Sequence, residues 1–224
     1  MKKLFYIFTL IFTAGCSQEA VTANTELETE DQKILYAIGM TISNQLQLFA
    51  LSEEELQPIM QGILDGIKKN ESRLDMSVYG PKINQLASER AALVAEKEAA
   101  AGDAYLKQFE SDDSIITTES GALVKIIEEG AGAIPAASDN VKVHYEGRLI
   151  DGTVFDSSIA RGEPATFPLS GVIKCWTEGL QQVKVGGKAE FICPAASAYG
   201  DRGAPPKIGP GATLIFEVEL IEIL

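Results

Sequence analysis

An α+β fold, in which a helical N-terminal region precedes an antiparallel sheet wrapped around one short helix, is predicted by three observations. Between Asp31 and Phe109 apolar residues recur at three- and four-residue steps, the helical period. After Ser111-Asp112-Asp113 the period falls to two, as in strands with one buried face. Most of the glycines and prolines then fall in the second half, between short apolar runs, where turns are needed. A chain of 224 residues holds two small domains of this kind, each with enough apolar residues for a core.

The first residues stand apart. Lys2 and Lys3 precede the apolar run Leu4 to Ile11, and Thr13, Ala14 and Gly15 follow it, which is the layout of a secretory signal peptide over residues 1–15. The run is too short to span a bilayer as a helix. Thr13-Ala14-Gly15-Cys16 resembles the lipobox of bacterial lipoproteins, with Thr13 where Leu is usual, and the resemblance implies lipidation of Cys16. Ordinary cleavage just after Cys16, leaving a soluble product, is the alternative. Ser17 after the cysteine favours the outer over the inner membrane of a Gram-negative envelope, and several acyl chains suffice for stable attachment. Residues 16–30 are acidic, rich in Ser and Thr and poor in large apolar residues, so they read as a flexible tether.

Ile34, Leu35, Ile38, Ile42, Leu46 and Phe49 define the first amphipathic helix, with Asp31 placed to favour the positive end of its dipole. Ser52 followed by Glu55 is a capping box that starts a second helix, whose face is Leu56, Ile59, Ile63 and Ile67. Pro81 suits a first helical turn and is read as the start of a third helix running through Ile83, Leu86, Val94 and Ala101 to Phe109. Its stretch from Ala91 to Ala104 has high helix propensity, with Gly102 as the weak point, but few large side chains. So thin an apolar stripe cannot order a long helix alone. The helix either spans two domains as a semi-rigid arm or pairs with another chain.

In the second half, Val141, Val143 and Tyr145 alternate with Lys142, His144 and Glu146, and Leu214, Phe216, Val218 and Leu220 alternate with Ile215, Glu217, Glu219 and Ile221. Both are half-buried strands. Asp151-Gly152 marks a hairpin turn. A single short helix is legible, from Trp176 to Gln182, before the Gly186-Gly187 turn.

The formal net charge of −13 argues against nucleic acid and against an anionic membrane surface as partners, since both select clustered Lys and Arg. His144 is the sole histidine and reads as structural. The sequence holds no Ser/His/Asp or Cys/His arrangement, no phosphate-cradling glycine loop and no CxxC spacing, so no metal and no cofactor is expected. An enzyme built on this domain would work without a nucleophile. Its chemistry-bearing feature is a concentration of aromatics near turns.

The segments Val143-His144-Tyr145-Glu146-Gly147, Asp151-Gly152-Thr153-Val154-Phe155-Asp156-Ser157-Ser158, Val172-Ile173-Lys174-Cys175-Trp176-Thr177-Glu178-Gly179-Leu180, Ala198-Tyr199-Gly200, Ile208-Gly209-Pro210 and Thr213 to Leu220 resemble the FKBP-type peptidyl-prolyl cis–trans isomerases in order and spacing. The preceding helical segment is similar, more loosely, to the dimerising arm of the bacterial FkpA and macrophage infectivity potentiator group. The resemblance implies four regions: signal peptide 1–15, tether 16–30, helical dimerisation domain 31–112 and isomerase domain 113–224. It also implies a pocket in which Tyr145, Phe155, Asp156, Trp176, Tyr199 and Phe216 act on the substrate, with Arg161, Phe167, Val172, Ile173 and Ile208 completing its walls and Trp176 its floor.

Rotation about an X–Pro bond is opposed by amide resonance, a barrier of roughly 18–20 kcal/mol. The twisted transition state is less polar at oxygen and more pyramidal at nitrogen, so a dry aromatic cavity favours it over the planar ground state. The Tyr199 hydroxyl and the Ile173 N–H would reach substrate carbonyls. Asp156 would order Tyr145 and Arg161 or face the carbonyl carbon. Departures from the family pattern are Ala165, where many members carry an aromatic, Cys175 in place of a glycine, and a loop from Asp201 to Lys207 without the histidine of some relatives. In the resembled fold Cys175 and Cys193 lie close together, which implies a disulfide in an oxidising compartment, closing a loop of about 17 residues at a gain of about 3 kcal/mol, against two buried free thiols. The expected partners are proline-containing polypeptide clients, a second copy of the chain and macrolide inhibitors. The expected location is the periplasm, anchored to the outer membrane by lipid alone. A binding module with an incidental pocket is the alternative to an isomerase with added chaperone activity.

Overall fold

The structure, a computed structural model, describes residues 26–224. The expected signal peptide, the Cys16 lipidation site and the tether up to residue 25 lie outside the described residues. Residues 41–224 form one compact unit, and the described residues before them belong to another.

Helix α1 (Glu30–Leu46) carries Glu30 and Asp31 in its first turn, as the dipole argument requires. Helix α2 (Glu53–Ile67) starts at the expected capping box, with the Glu55 carboxylate accepting the Ser52 N–H at 2.9 Å. The same carboxylate accepts from Arg90 Nη2 at 2.6 Å, while Arg90 Nη1 reaches the Phe49 carbonyl at 3.4 Å. Helix α3 (Met76–Leu106) thereby ties to the start of α2, and Arg90 holds the Glu55 carboxyl down to about 2.

Helix α3 begins five residues before the expected start at Pro81. Asp75 is the reason: its side chain accepts the Ser77 N–H at 2.9 Å and so satisfies an orphan donor of the first turn. Pro81 lies inside the helix, where its ring fits the helical φ but one backbone bond is absent. The alanine-rich half of α3 acquires its order by packing. Ala95 and Gly102 are buried, a side chain on Gly102 would collide with Thr213 Oγ1, and one on Gly211 would collide with the Ala95 backbone. Gly102, a weak point by propensity, is thus the place where the helix backbone meets the strand-bearing part of the unit.

Seven strands form a single antiparallel sheet among the described residues: β1 (Ile115–Thr117), β2 (Leu123–Glu128), β3 (Asn140–Leu149), β4 (Val154–Ser157), β5 (Ala165–Pro168), β6 (Lys188–Cys193) and β7 (Leu214–Ile223). The order is β1-β2-β6-β7-β3-β4, with β5 pairing the first half of β3. Val141, Val143 and Tyr145 alternate inward as expected, and Leu214, Phe216, Val218 and Leu220 join them in one core. The other face of the sheet is covered in part: Ile192 and Ile215, paired in register, are buried on it. The β3–β4 turn closes with Gly152 at φ +88°.

Helix α5 (Lys174–Leu180) begins two residues before the expected helix and packs Cys175, Trp176, Gly179 and Leu180 into the core. Its Thr177 hydroxyl donates to the Leu169 carbonyl at 2.6 Å. A second short helix, α4 (Ser158–Arg161), was not anticipated. Its marks are in the sequence, since Ser157 caps it by accepting the Ala160 N–H at 3.1 Å and Gly162 ends it at φ +80°.

Replacing Gly102 by Ala stabilises an isolated helix by about 1 kcal/mol, yet here the expected outcome is a loss of about 1–3 kcal/mol, because the new methyl meets Thr213. Thr213→Ala in the same protein removes the colliding hydroxyl and should recover part of that loss in denaturant unfolding. Full additivity of the two substitutions would disprove the contact.

Candidate active site

A cavity of about 780 Å³ opens between α5, the inner face of the sheet and the loop before Ile208. Trp176 lies at its centre, 4 % exposed, and meets Tyr145, Phe167 and Phe216 edge to face at ring-centroid distances of 5.2, 5.6 and 5.3 Å. Phe155 meets Phe216 in the same manner at 5.5 Å. Perpendicular packing sets the positive edge of one ring against the negative face of the next and fixes all five rings relative to one another. Gly147 makes this possible: a Cβ there would lie 2.6 Å from the Phe155 ring and 2.8 Å from that of Phe216.

The chain enters α5 through Ile173, whose carbonyl accepts from Trp176 N at 2.9 Å and Thr177 N at 3.1 Å. The Ile173 N–H donates to no acceptor among the described residues. The Trp176 Nε1–H is likewise buried without a partner among them. Ile173 lines the cavity, so its N–H is an unspent donor beside an apolar lining, whereas the Trp176 N–H is closed off within the packing.

One wall is polar. The Tyr145 hydroxyl donates to Asp156 Oδ2, Arg161 Nη1 bonds Asp156 Oδ1, and Arg161 Nη2 donates to the Tyr145 oxygen at 3.0 Å. The guanidinium carbon also lies 5.6 Å from the Tyr145 ring centroid. Burial pushes the Asp156 carboxyl up, but the Tyr145 and Arg161 hydrogen bonds outweigh it and hold the group below the usual carboxylate range. Burial, reinforced by the Asp156 charge, pushes the Tyr145 hydroxyl up. Behind this wall, the fully buried Ser158 hydroxyl accepts the Tyr145 N–H at 2.7 Å and lies 3.1 Å from His144 Nδ1. The sole histidine is therefore engaged by α4, away from the cavity lining.

Of the residues expected at the site, Tyr145, Phe155, Asp156, Phe167, Val172, Ile173, Trp176, Tyr199, Ile208 and Phe216 all line the cavity. Arg161 does not; it acts through Tyr145 and Asp156. Gly171 and the run Ala204-Pro205-Pro206-Lys207 also line it and were not anticipated. The Pro-Pro pair marks a turn in the sequence, but no periodicity indicates that the turn faces a cavity. Cys175 and Cys193 form a disulfide with a Cα–Cα distance of 5.6 Å, joining the start of α5 to the end of β6. No group of three or more His, Cys, Asp and Glu side chains among the described residues is arranged to hold a metal ion.

Residues 132–221 match the family model described as FKBP-type peptidyl-prolyl cis-trans isomerase, and residues 31–126 that of the domain amino terminal to it. The chain is 42 % identical over 201 residues to the FKBP-type 22 kDa peptidyl-prolyl cis-trans isomerase of Escherichia coli (strain K12), covering 88 % of this chain and 97 % of that one. It is 39 % identical over 210 residues to the outer membrane protein MIP of Legionella longbeachae, covering 91 % and 90 %. The crystal structure of FkpA from Escherichia coli superposes with a TM-score of 0.65 at 32 % identity, covering 88 % of this chain and 98 % of that one.

Two outcomes are expected of substitutions in the cavity. Gly147→Ala displaces the Phe155 and Phe216 rings and should cost about 1–3 kcal/mol of stability, together with most of the activity in a peptide isomerisation assay. The carboxyl of Asp156 is depressed on folding, so its contribution is present above the unfolded value near 4 and is lost as pH falls below it. Wild type should therefore exceed Asp156→Asn in denaturant unfolding by a constant margin between pH 5 and 8, at most about 1 kcal/mol after solvent screening, and converge with it in acid. A margin that persists at low pH would contradict the arrangement.

Proposed function

The chain belongs to the FKBP-type peptidyl-prolyl cis–trans isomerases, and we propose that it accelerates the folding of exported proteins in the bacterial cell envelope by stabilising a twisted X–Pro amide in the Trp176 cavity. The observation that carries the mechanism is a set of five aromatic rings packed edge to face around Trp176, with the unspent Ile173 N–H beside them.

The prolyl ring rests on Trp176 between Tyr145, Phe155, Phe167 and Phe216, which exclude water from the amide. Val172, Ile173 and Ile208 close the remaining sides. In the planar ground state the amide oxygen carries the larger partial charge and loses hydration on entering this lining. Twisting removes that charge separation, so the cavity lowers the barrier by differential binding, with no bond made or broken. The Ile173 N–H and the Tyr199 hydroxyl hold the flanking carbonyls as the chain turns. Asp156 has both oxygens engaged by Tyr145 and Arg161, which favours the role of ordering that wall over direct contact with the carbonyl carbon.

The helical region 31–112 serves as a dimerisation domain and residues 113–224 as the isomerase domain. Support comes from the apolar faces of the helices: Leu56, Met60, Ile63, Leu64 and Ile67 on α2 and Ile83 and Leu86 on α3 are all exposed. Two cavities held apart by such a dimer would retain unfolded clients between rotations, which adds chaperone activity. Export to the periplasm through the signal peptide and lipid anchoring at the outer membrane through Cys16 complete the reading. A macrolide that fills the cavity is the expected inhibitor.

The test is the cis-to-trans rate of a short Xaa-Pro peptide, which takes tens to hundreds of seconds uncatalysed. Wild type should accelerate it strongly, with Asp156→Ala and Tyr199→Phe slower. Light scattering on the same protein should return twice the monomer mass, and a monomer at micromolar concentration would remove the dimer from the reading.

A further inference from the structure

The charges around the cavity do not balance. Asp156 is neutralised by Arg161. Lys207, which also lines the cavity, forms no ion pair among the described residues. Its Nζ donates instead to a neutral acceptor, the Phe155 carbonyl, at 2.7 Å. The backbone beneath it is fixed as well, because Ala204 and Ile208 exchange hydrogen bonds at 2.9 and 3.1 Å across the turn that carries Pro205, Pro206 and Lys207. An ammonium is thus held at one place on the cavity edge, between strand β4 and Ile208, with two of its three donors uncommitted. The chain around it carries a formal net charge of −13, so an unpaired cation at the substrate opening is a local exception to the field of the molecule.

We propose that Lys207 is a specificity-determining residue that selects client segments carrying a carboxylate, Asp or Glu, beside the proline. The inference rests on the reading of this cavity as the isomerase site. A carboxylate next to a proline seated on Trp176 meets the uncommitted donors of Lys207 at the edge, where the ammonium keeps its bond to Phe155. A lysine or arginine in the same place of the client is repelled. The ammonium lies outside the aromatic set that encloses the rotating bond, so it acts alike on the planar and twisted forms. It therefore appears in KM rather than in kcat.

The experiment uses the purified protein and four-residue peptides with Glu, Gln or Lys before the proline, and a second set with the same residues after it. For each protein the quantity read is the ratio of kcat/KM for the Glu peptide to that for the Gln peptide, which cancels any general change in activity. Wild type should favour Glu by about two- to fivefold at low salt at one of the two positions, through KM, with the preference fading as salt rises. Lys207→Gln should bring the ratio to about one, and Lys207→Arg should retain it. An equal ratio in wild type and Lys207→Gln at both positions, with all peptides still accelerated, overturns the selection alone. Loss of acceleration for every peptide in a folded wild type overturns the site and this inference with it.

Discussion

Helix α5 has seven residues, too few to persist by its own hydrogen bonds, and the site depends on holding it in place. Trp176 does most of this by packing its edges and faces against rings from β3, β5, β6 and β7 at once. Gly179 permits contact with Phe191 at 3.1 Å from where a Cβ would stand, and the Cys175–Cys193 disulfide links the helix start to β6. Ile173 lies one residue before the helix and takes its orientation from it. The floor of the cavity and the donor at its edge are therefore consequences of a single packing event.

The polar wall follows a different logic. Tyr145, Asp156 and Arg161 come from β3, β4 and the end of α4, and each satisfies the other two. A lone carboxylate beside five aromatic rings would be raised toward its neutral form by desolvation. Pairing keeps it charged, and the charge in turn fixes the Tyr145 ring that forms one side of the cavity. The buried Ser158 hydroxyl secures the Tyr145 backbone from behind. The short helix that supplies Ser158 and Arg161 is thus a support for the wall.

Helix α3 connects the two halves of the sequence through close backbone approach. Its packing residues are Ala95 and Gly102 against Gly211 and Thr213, the latter pair on the segment that leads into β7. Small residues suit a helix whose backbone closely approaches another segment of chain, and they explain why its apolar stripe looks thin in the sequence. Several larger apolar residues of the helical region, among them Leu56, Ile63, Ile67 and Ile83, remain exposed.

Period-two alternation at Val141, Val143 and Tyr145 and again at Leu214 to Leu220 determined the core face of the two central strands, because side chains in a strand can face only two ways. The Ser52–Glu55 box determined the start of α2, since its bonds close within four residues. The pocket residues were legible by resemblance, and ten of the eleven expected there line one cavity, six of them aromatic. Legibility failed where a choice depended on distant partners. The start of α3 was decided by Asp75 rather than Pro81, Gly102 proved to be a contact rather than a weakness, and Lys207 reached the cavity edge through a bond to Phe155, far away in sequence. Local hydrogen bonding and periodicity act over a few residues and can be read from the chain. Which side chains share one cavity, and which charge there goes unpaired, arises only when strands separated by tens of residues are brought into register.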